Sequence, residues 1–144
     1  MFERIVVAVD GSGPAKLAVS MACDLAQKYG SEIHLVHSPQ VEMPTLAVGA
    51  SAVEIKPDAA TLAKAGRNVI EEAENIIANA DCRDPQSTVG SNDPATDILE
   101  TIDAIGADLV VMGRRGLGGV TSLLMGSVSQ KVSHKAQCAC LTVC

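Results

Sequence analysis

Short aliphatic runs alternate with stretches of helical length along the whole chain, and that alternation constrains the fold more than any other feature. RIVVAV (Arg4–Val9), SEIHLVH (Ser31–His37), QSTV (Gln86–Val89), ADLVVM (Ala107–Met112) and CLTV (Cys140–Val143) read as strands. Between them lie PAKLAVSMACDLAQKYG (Pro14–Gly30), TLAKAGRNVIEEAENIIANA (Thr61–Ala80), PATDILETIDAIG (Pro94–Gly106) and GSVSQKVSHKA (Gly126–Ala136). The first of these carries Leu17, Met21, Leu25 and neighbouring alanines on one face, with Gly30 positioned as a C-cap. The second repeats Leu62, Val69, Ile70, Ala73, Ile76, Ile77 and Ala80 at helical spacing, and Pro94 suits the first turn of the third. Strands joined by helices of this length run parallel, cross over right-handed and form a sheet covered on both faces. The expected fold is therefore α/β, a doubly wound parallel sheet, in a single domain over residues 1–144.

Composition narrows the function. Apolar residues make up 47% of the chain, yet there is no Trp, one Tyr and one Phe, so the core has to be aliphatic. No apolar run approaches the roughly 18 residues needed to cross a bilayer. The opening MFERIVVAVD lacks a signal-peptide profile, which makes a cytoplasmic protein without membrane insertion the expectation. A net charge of −6 argues against a nucleic-acid partner, which would need a basic face. Five cysteines without framework spacing argue against a disulfide scaffold, and His134-x3-Cys138-x-Cys140-x3-Cys144 is a poor match to closed zinc spacings.

One connection is out of proportion. Ser38 to Asp58 spans about 20 residues, well beyond the usual few, and carries Met43, Leu46, Val48, Val53 and Ile55. That much apolar content predicts a lid or interface segment over a disordered insert.

In open α/β sheets, ligands settle at the carboxyl ends of the strands where the winding reverses. The first strand ends in Asp10 and GSG, which places a negative charge where a dinucleotide fold would hold pyrophosphate and lacks the third glycine of that motif. The loop after the fourth strand is the opposite. Gly113 and Gly116 permit close backbone approach, Arg114 and Arg115 are cationic, and Gly126-Ser127 opens a helix whose free N–H groups favour an anion. The Ser127 and Ser129 hydroxyls add candidate donors. Phosphate is expected there, although glycines after a strand also serve plain turns. A P-loop is excluded because no Gly-Lys occurs.

Gly113-x2-Gly116-x9-Gly126-Ser127 resembles the nucleotide-binding signature G-2x-G-9x-G-[ST] of the universal stress protein family. The opening RIVVAVDGSGPAKLAVSMACDLAQKYGSEIHLVH, the segment VGSNDPATDILE and the ending AQCACLTVC are similar to the corresponding parts of that family, with Gln137 and Ala139 where prolines are usual. The resemblance implies a five-stranded sheet of order 3-2-1-4-5, of the adenine nucleotide alpha hydrolase-like type, with an ATP site between strands one and four. By position, Gly113, Gly116, Gly126 and Ser127 would hold the phosphates and Val128 and Ser129 would complete the helix start. Met112 and Arg115 would flank the ribose and phosphates, and Ala8 and Asp10 would line the ribose and adenine side. The backbone of Ser38, where the family more often has Val, would read the adenine edge.

ATP brings about four negative charges to a chain already at −6, and two arginines with a helix end worth about half a charge do not balance them. A Mg2+ held mostly by phosphate oxygens and water is therefore expected. No catalytic Lys and no acid/base pair of convincing spacing is evident, and His37 and His134 read as structural. Two readings follow: an ATP-binding regulatory protein controlling a partner such as a transporter, and a slow ATPase or nucleotide-processing enzyme using the same pocket. The last strand, with neither charge nor proline in CACLTVC, would be a sheet edge. The resemblance implies a homodimer through it, with a nucleotide-linked further step to a dimer of dimers as an extension.

Overall fold

The computed structural model of the chain describes residues 1–40, 45–48, 51–54, 58–117 and 125–144. In chain order the elements are β1 (Arg4–Ala8), α1 (Gly13–Tyr29), β2 (Glu32–His37), β3 (Thr45–Val48), β4 (Ser51–Glu54), α2 (Ala59–Asn79), β5 (Gln86–Val89), α3 (Pro94–Ile105), β6 (Leu109–Gly113), α4 (Ser127–Lys135) and β7 (Ala139–Val143). Five strands form a parallel sheet in the order β5-β2-β1-β6-β7, which is the expected 3-2-1-4-5.

Alternation along β1 shows why the sheet is covered on both sides. Ile5, Val6 and Val7 are all fully buried. With a side-chain period of two, Ile5 and Val7 enter one core, packed with residues of α1 and α2, while Val6 enters the other, with residues of α3 and α4. Leu109 and Val111 of β6 join the first core and Val110 and Met112 the second.

Helix α1 corrects one expectation. Its buried face is Ala15, Ala18, Val19, Ala22, Cys23 and Ala26, while Leu17 and Met21 are 46% and 37% exposed. Small residues face the sheet because they let the helix axis approach the buried central strands, where larger side chains have no space. The caps follow the sequence. Ser12 accepts from the Ala15 N–H, and Gly30 adopts φ 73°, the left-handed conformation that suits glycine. Asp58 caps α2 through the Thr61 N–H at 2.7 Å, and Gly106 closes α3 at φ 60°.

The long connection contains two strands that the sequence reading did not place. Within Ser38–Asp58, β3 and β4 pair antiparallel, Thr45 opposite Glu54 and Val48 opposite Ser51, as a ribbon separate from the main sheet. Each strand is only four residues long and mixes alanine or serine among its apolar residues, so no alternation stands out in the sequence. Met43 and Ile55 lie outside the described residues.

Cys23 is 1% exposed in the α1 face of the core. Burial, reinforced by the neighbouring Cys82 thiol and by Asp24, pushes its thiol up to about 12 from 9.0. A raised folded pKa contributes stability that is complete below the unfolded value and is lost as pH rises through the folded one. Between about pH 9 and pH 12, urea-denaturation free energies are therefore expected to fall more steeply for the wild-type protein than for Cys23→Ala. Parallel curves for the two proteins would contradict this.

Candidate functional site

Three strand ends define the site. At the tip of β1, Gly11 at φ 80° turns the chain into α1, and Asp10 accepts the Ser12 N–H on Oδ1 at 3.0 Å. Its Oδ2 accepts the Leu117 N–H at 3.2 Å, from the loop after β6. The carboxylate thus joins the tips of β1 and β6. A Cβ at Gly116 would overlap Asp10 Oδ2, so this close approach needs glycine.

The loop leaving β6 folds back tightly. A Cβ on Gly113 would stand 2.9 Å from the Arg115 carbonyl oxygen and 3.0 Å from Pro14 Cβ. The Arg114 N–H donates to the Val143 carbonyl at 2.6 Å, tying the loop to the end of β7. The Arg114 carbonyl gathers the Gly126 N–H at 2.9 Å and the Ser129 hydroxyl at 2.7 Å. Ser129 also approaches the Gly126 carbonyl at 3.0 Å and is 3% exposed, so its hydroxyl serves the backbone behind the cleft. Gly126 is the N-cap of α4 and is extended, and no side chain caps the helix. The first-turn N–H groups of α4 therefore lack an intrahelical acceptor, and among the described residues no side chain caps them.

On the β2 side, the buried Ser38 donates from Oγ to Asp97 Oδ2 of α3 at 2.6 Å. His37 is buried and bonds through Nδ1 to the Val9 carbonyl at 2.7 Å, which gives it a structural task at the end of β1. At the start of α3, Asp93 meets Lys131 of α4 at 3.0 Å. A hydrogen bond from Thr96, then that lysine, holds the Asp93 carboxyl below the usual range.

A cleft of about 370 Å³ lies among these strand ends. All eleven residues expected at the site line it: Ala8, Asp10, Ser38, Met112, Gly113, Arg115, Gly116, Gly126, Ser127, Val128 and Ser129. Arg114, the second arginine of the pair, is not in the wall and acts through its backbone. Sequence reasoning missed the apolar side made by Val36, Pro94 and Ile98, whose only signal is ordinary core periodicity, and the buried Asp97 behind Ser38. Among the described residues no three His, Cys, Asp or Glu side chains gather as metal ligands, and the His134–Cys144 spacing makes no such cluster.

Comparison with known proteins extends the picture. The model of the universal stress protein family matches residues 1–143. A universal stress protein of Thermus aquaticus is 35% identical over 150 residues, covering 99% of each chain. Universal stress protein YxiE of Bacillus subtilis is 28% identical over 151 residues, again covering 99% of each. Among solved structures, universal stress protein UspA from Lactobacillus plantarum superposes with a TM-score of 0.79 at 19% identity, covering 99% of this chain and 97% of its own. A universal stress protein in complex with cAMP gives 0.75 at 23% identity, with coverage of 99% and 97%. One from Archaeoglobus fulgidus in complex with dAMP gives 0.71 at 23%, with coverage of 99% and 98%. These structures share the fold with this chain.

The Asp10 bridge makes a local prediction. Replacing Asp10 with Ala removes the acceptor for the Leu117 N–H and frees the loop after β6 from the tip of β1. In native-state hydrogen exchange, the Leu117 amide is expected to exchange at least tenfold faster, with core β1 amides unchanged. Equal protection at Leu117 in both proteins would show that the bridge does not hold the loop.

Proposed function

This chain belongs to the universal stress protein family, and on that premise we propose that the cleft binds an adenine nucleotide, ATP with Mg2+, and that nucleotide occupancy regulates assembly or a partner protein. One observation carries the reading: the two sides of the cleft have opposite chemistry. At the β6 side stand the tightly turned Gly113–Gly116 backbone, Arg115 and the uncapped amides of α4. At the β2 side stand Val36, Pro94 and Ile98, an apolar wall suited to a base. Amides at a helix start favour an anion without adding charged side chains. The cAMP and dAMP bound to two proteins of the same fold support the choice of an adenine ligand.

The residues present fit a magnesium ion only as a companion of the phosphates. Asp10 is the one carboxylate in the described wall, and both its oxygens already accept backbone N–H groups. Ser127, Val128 and Ser129 would meet the phosphates through their backbone, and Arg115 from the side. The ion would supply the remaining charge balance, held by phosphate oxygens and water. His37 is committed to the Val9 carbonyl, which favours a signalling role for the nucleotide over rapid hydrolysis.

In this reading the chain is one regulatory domain of the cytoplasm, and no described helix is long and apolar enough to cross a membrane. Strand β7 pairs only with β6 in the main sheet, and its open side is the surface for a homodimer, with a dimer of dimers as a further step. Control of a transporter or another partner would act through that assembly.

Calorimetric titration with ATP, with and without Mg2+, tests the binding. Saturable one-site binding, stronger with Mg2+, is expected, with almost no ADP formed in the same sample. Gly126 is extended, a conformation valine can adopt, but a Cβ there would stand 3.3 Å from the Arg114 carbonyl oxygen, so Gly126→Val crowds the helix start and is compared with the wild type only after its circular dichroism and thermal melt show a folded protein. The variant is expected to weaken ATP binding at least tenfold. No binding by the wild-type protein would overturn the proposal, and rapid ADP formation would make the protein an ATPase. Light scattering with and without ATP tests assembly: a dimer alone and a larger species with ATP are expected, and an unchanged mass would remove the assembly step.

A further inference from the structure

Behind the apolar side of the cleft sits a buried polar pair that packing does not require. Ser38 and Asp97 are 8% and 6% exposed, and Ser38 Oγ lies 2.6 Å from Asp97 Oδ2. The other partners of the Asp97 side chain are donors. The Asn92 N–H approaches its two oxygens at 3.3 and 3.2 Å, and Asn92 Nδ2 approaches Oδ1 at 3.0 Å. Surrounded by N–H donors, the carboxylate is the acceptor, and Ser38 is the donor to it. Gly90 makes this possible, since a Cβ there would overlap the carboxylate.

The consequence is directional. A serine hydroxyl has one proton and two lone pairs. Ser38 lines the cleft, and with its proton committed to Asp97 its hydroxyl has only lone pairs left to offer a ligand. Ser38 follows the end of β2, two strands from β6 in the order β2-β1-β6, and so about 10 Å from the phosphate-binding loop at ~4.8 Å per strand. It therefore stands at the base end of a nucleotide whose phosphates lie at α4.

We propose that Ser38, oriented by Asp97, is a specificity-determining acceptor that selects a base bearing an exocyclic amino group, as in adenine, over one bearing a carbonyl there, as in hypoxanthine or guanine. The inference rests on the nucleotide reading above and deepens it. An amino group donates to the Ser38 lone pairs, whereas a carbonyl oxygen faces them lone pair to lone pair and loses its water without replacement. Asp97 acts through Ser38 and is a positioning residue.

ATP and ITP differ in this edge, so their calorimetric affinities in the presence of Mg2+ test the proposal. The wild-type protein is expected to favour ATP at least tenfold. Asp97→Asn has a carbonyl oxygen for the Asn92 donors and an amide N–H2 to give to Ser38, which releases the serine proton toward the cleft. The ATP-to-ITP ratio is expected to fall about tenfold, with ITP binding gaining in absolute terms, a change that simple loosening of the site would not produce. Ser38→Ala removes the acceptor and is expected to lower the ratio about fivefold by weakening ATP alone. It carries the test by itself if Asp97→Asn does not fold. A ratio unchanged in a folded variant, with ATP still bound by the wild type, overturns this inference alone. Failure of the wild type to bind ATP overturns the nucleotide reading, and this inference with it.

Discussion

Burial of β1 on both faces is the constraint on which the rest of the structure depends. A strand whose Ile5, Val6 and Val7 are all inaccessible needs helices above and below it and a paired strand on each side. Sequence supplies α1 and α2 for one face and α3 and α4 for the other, so the winding must reverse beside β1. Where it reverses, the connections leave β1 and β6 in opposite directions, and their carboxyl ends part to leave a cleft. The site is thus a by-product of covering the central strand twice. Its residues need no separate scaffold, because Asp10 lies two positions past the end of β1 and Gly113 is the last residue of β6.

An acidic chain that holds a polyanion has to do so with few cations. The cleft wall described here includes one arginine, Arg115, against a net chain charge of −6. Backbone amides resolve that conflict, since they add dipoles without adding net charge, and glycine lets them come close. Asp10 fits the same logic from the opposite side. Its carboxylate would repel phosphate if it faced the cleft bare, but it is occupied by the Ser12 and Leu117 N–H groups. On the proposed reading, an acid beside the phosphates is thereby turned into a fastener for the loop that would contact them.

How much of this was legible in the sequence follows from the range of the interactions involved. Strand and helix positions, the Gly30 C-cap and Pro94 in the first turn of α3 come from local patterns, the strand order came with the family resemblance, and the structure agrees with all of them. The face of α1 did not read correctly, because hydrophobicity ranks Leu17 and Met21 above Ala18 and Ala22, while close packing on a buried strand favours the smaller side chains. The β3–β4 ribbon was missed because its four-residue strands, TLAV and SAVE, are rich in small residues and stand side by side without the flanking helices that mark β5. At the site, the glycine spacing Gly113–Gly116–Gly126 was visible because backbone approach demands a particular residue type. The wall of Val36 and Ile98 was invisible as a site, since those residues look the same whether they meet a ligand or a helix. The pairing of Ser38 with Asp97 crosses 59 positions and leaves no local trace.

That pairing shows why a buried polar contact can persist at a place where an apolar residue would pack as well. A valine at position 38 would join Val36 and Ile98 in a dry wall and free Asp97 to be replaced by a small residue over Gly90. Keeping Ser38 obliges the chain to keep an acceptor behind it, a glycine at position 90 to admit that acceptor, and Asn92 to satisfy its remaining lone pairs. Each member is defensible only with the others, because a lone buried hydroxyl costs on the order of 1–3 kcal/mol and a lone carboxylate more. A set of four residues held together by such mutual dependence gives nothing to the core that valine would not give. What it alone supplies is a hydroxyl of fixed orientation at the edge of the cleft, and orientation matters only if something polar comes to meet it.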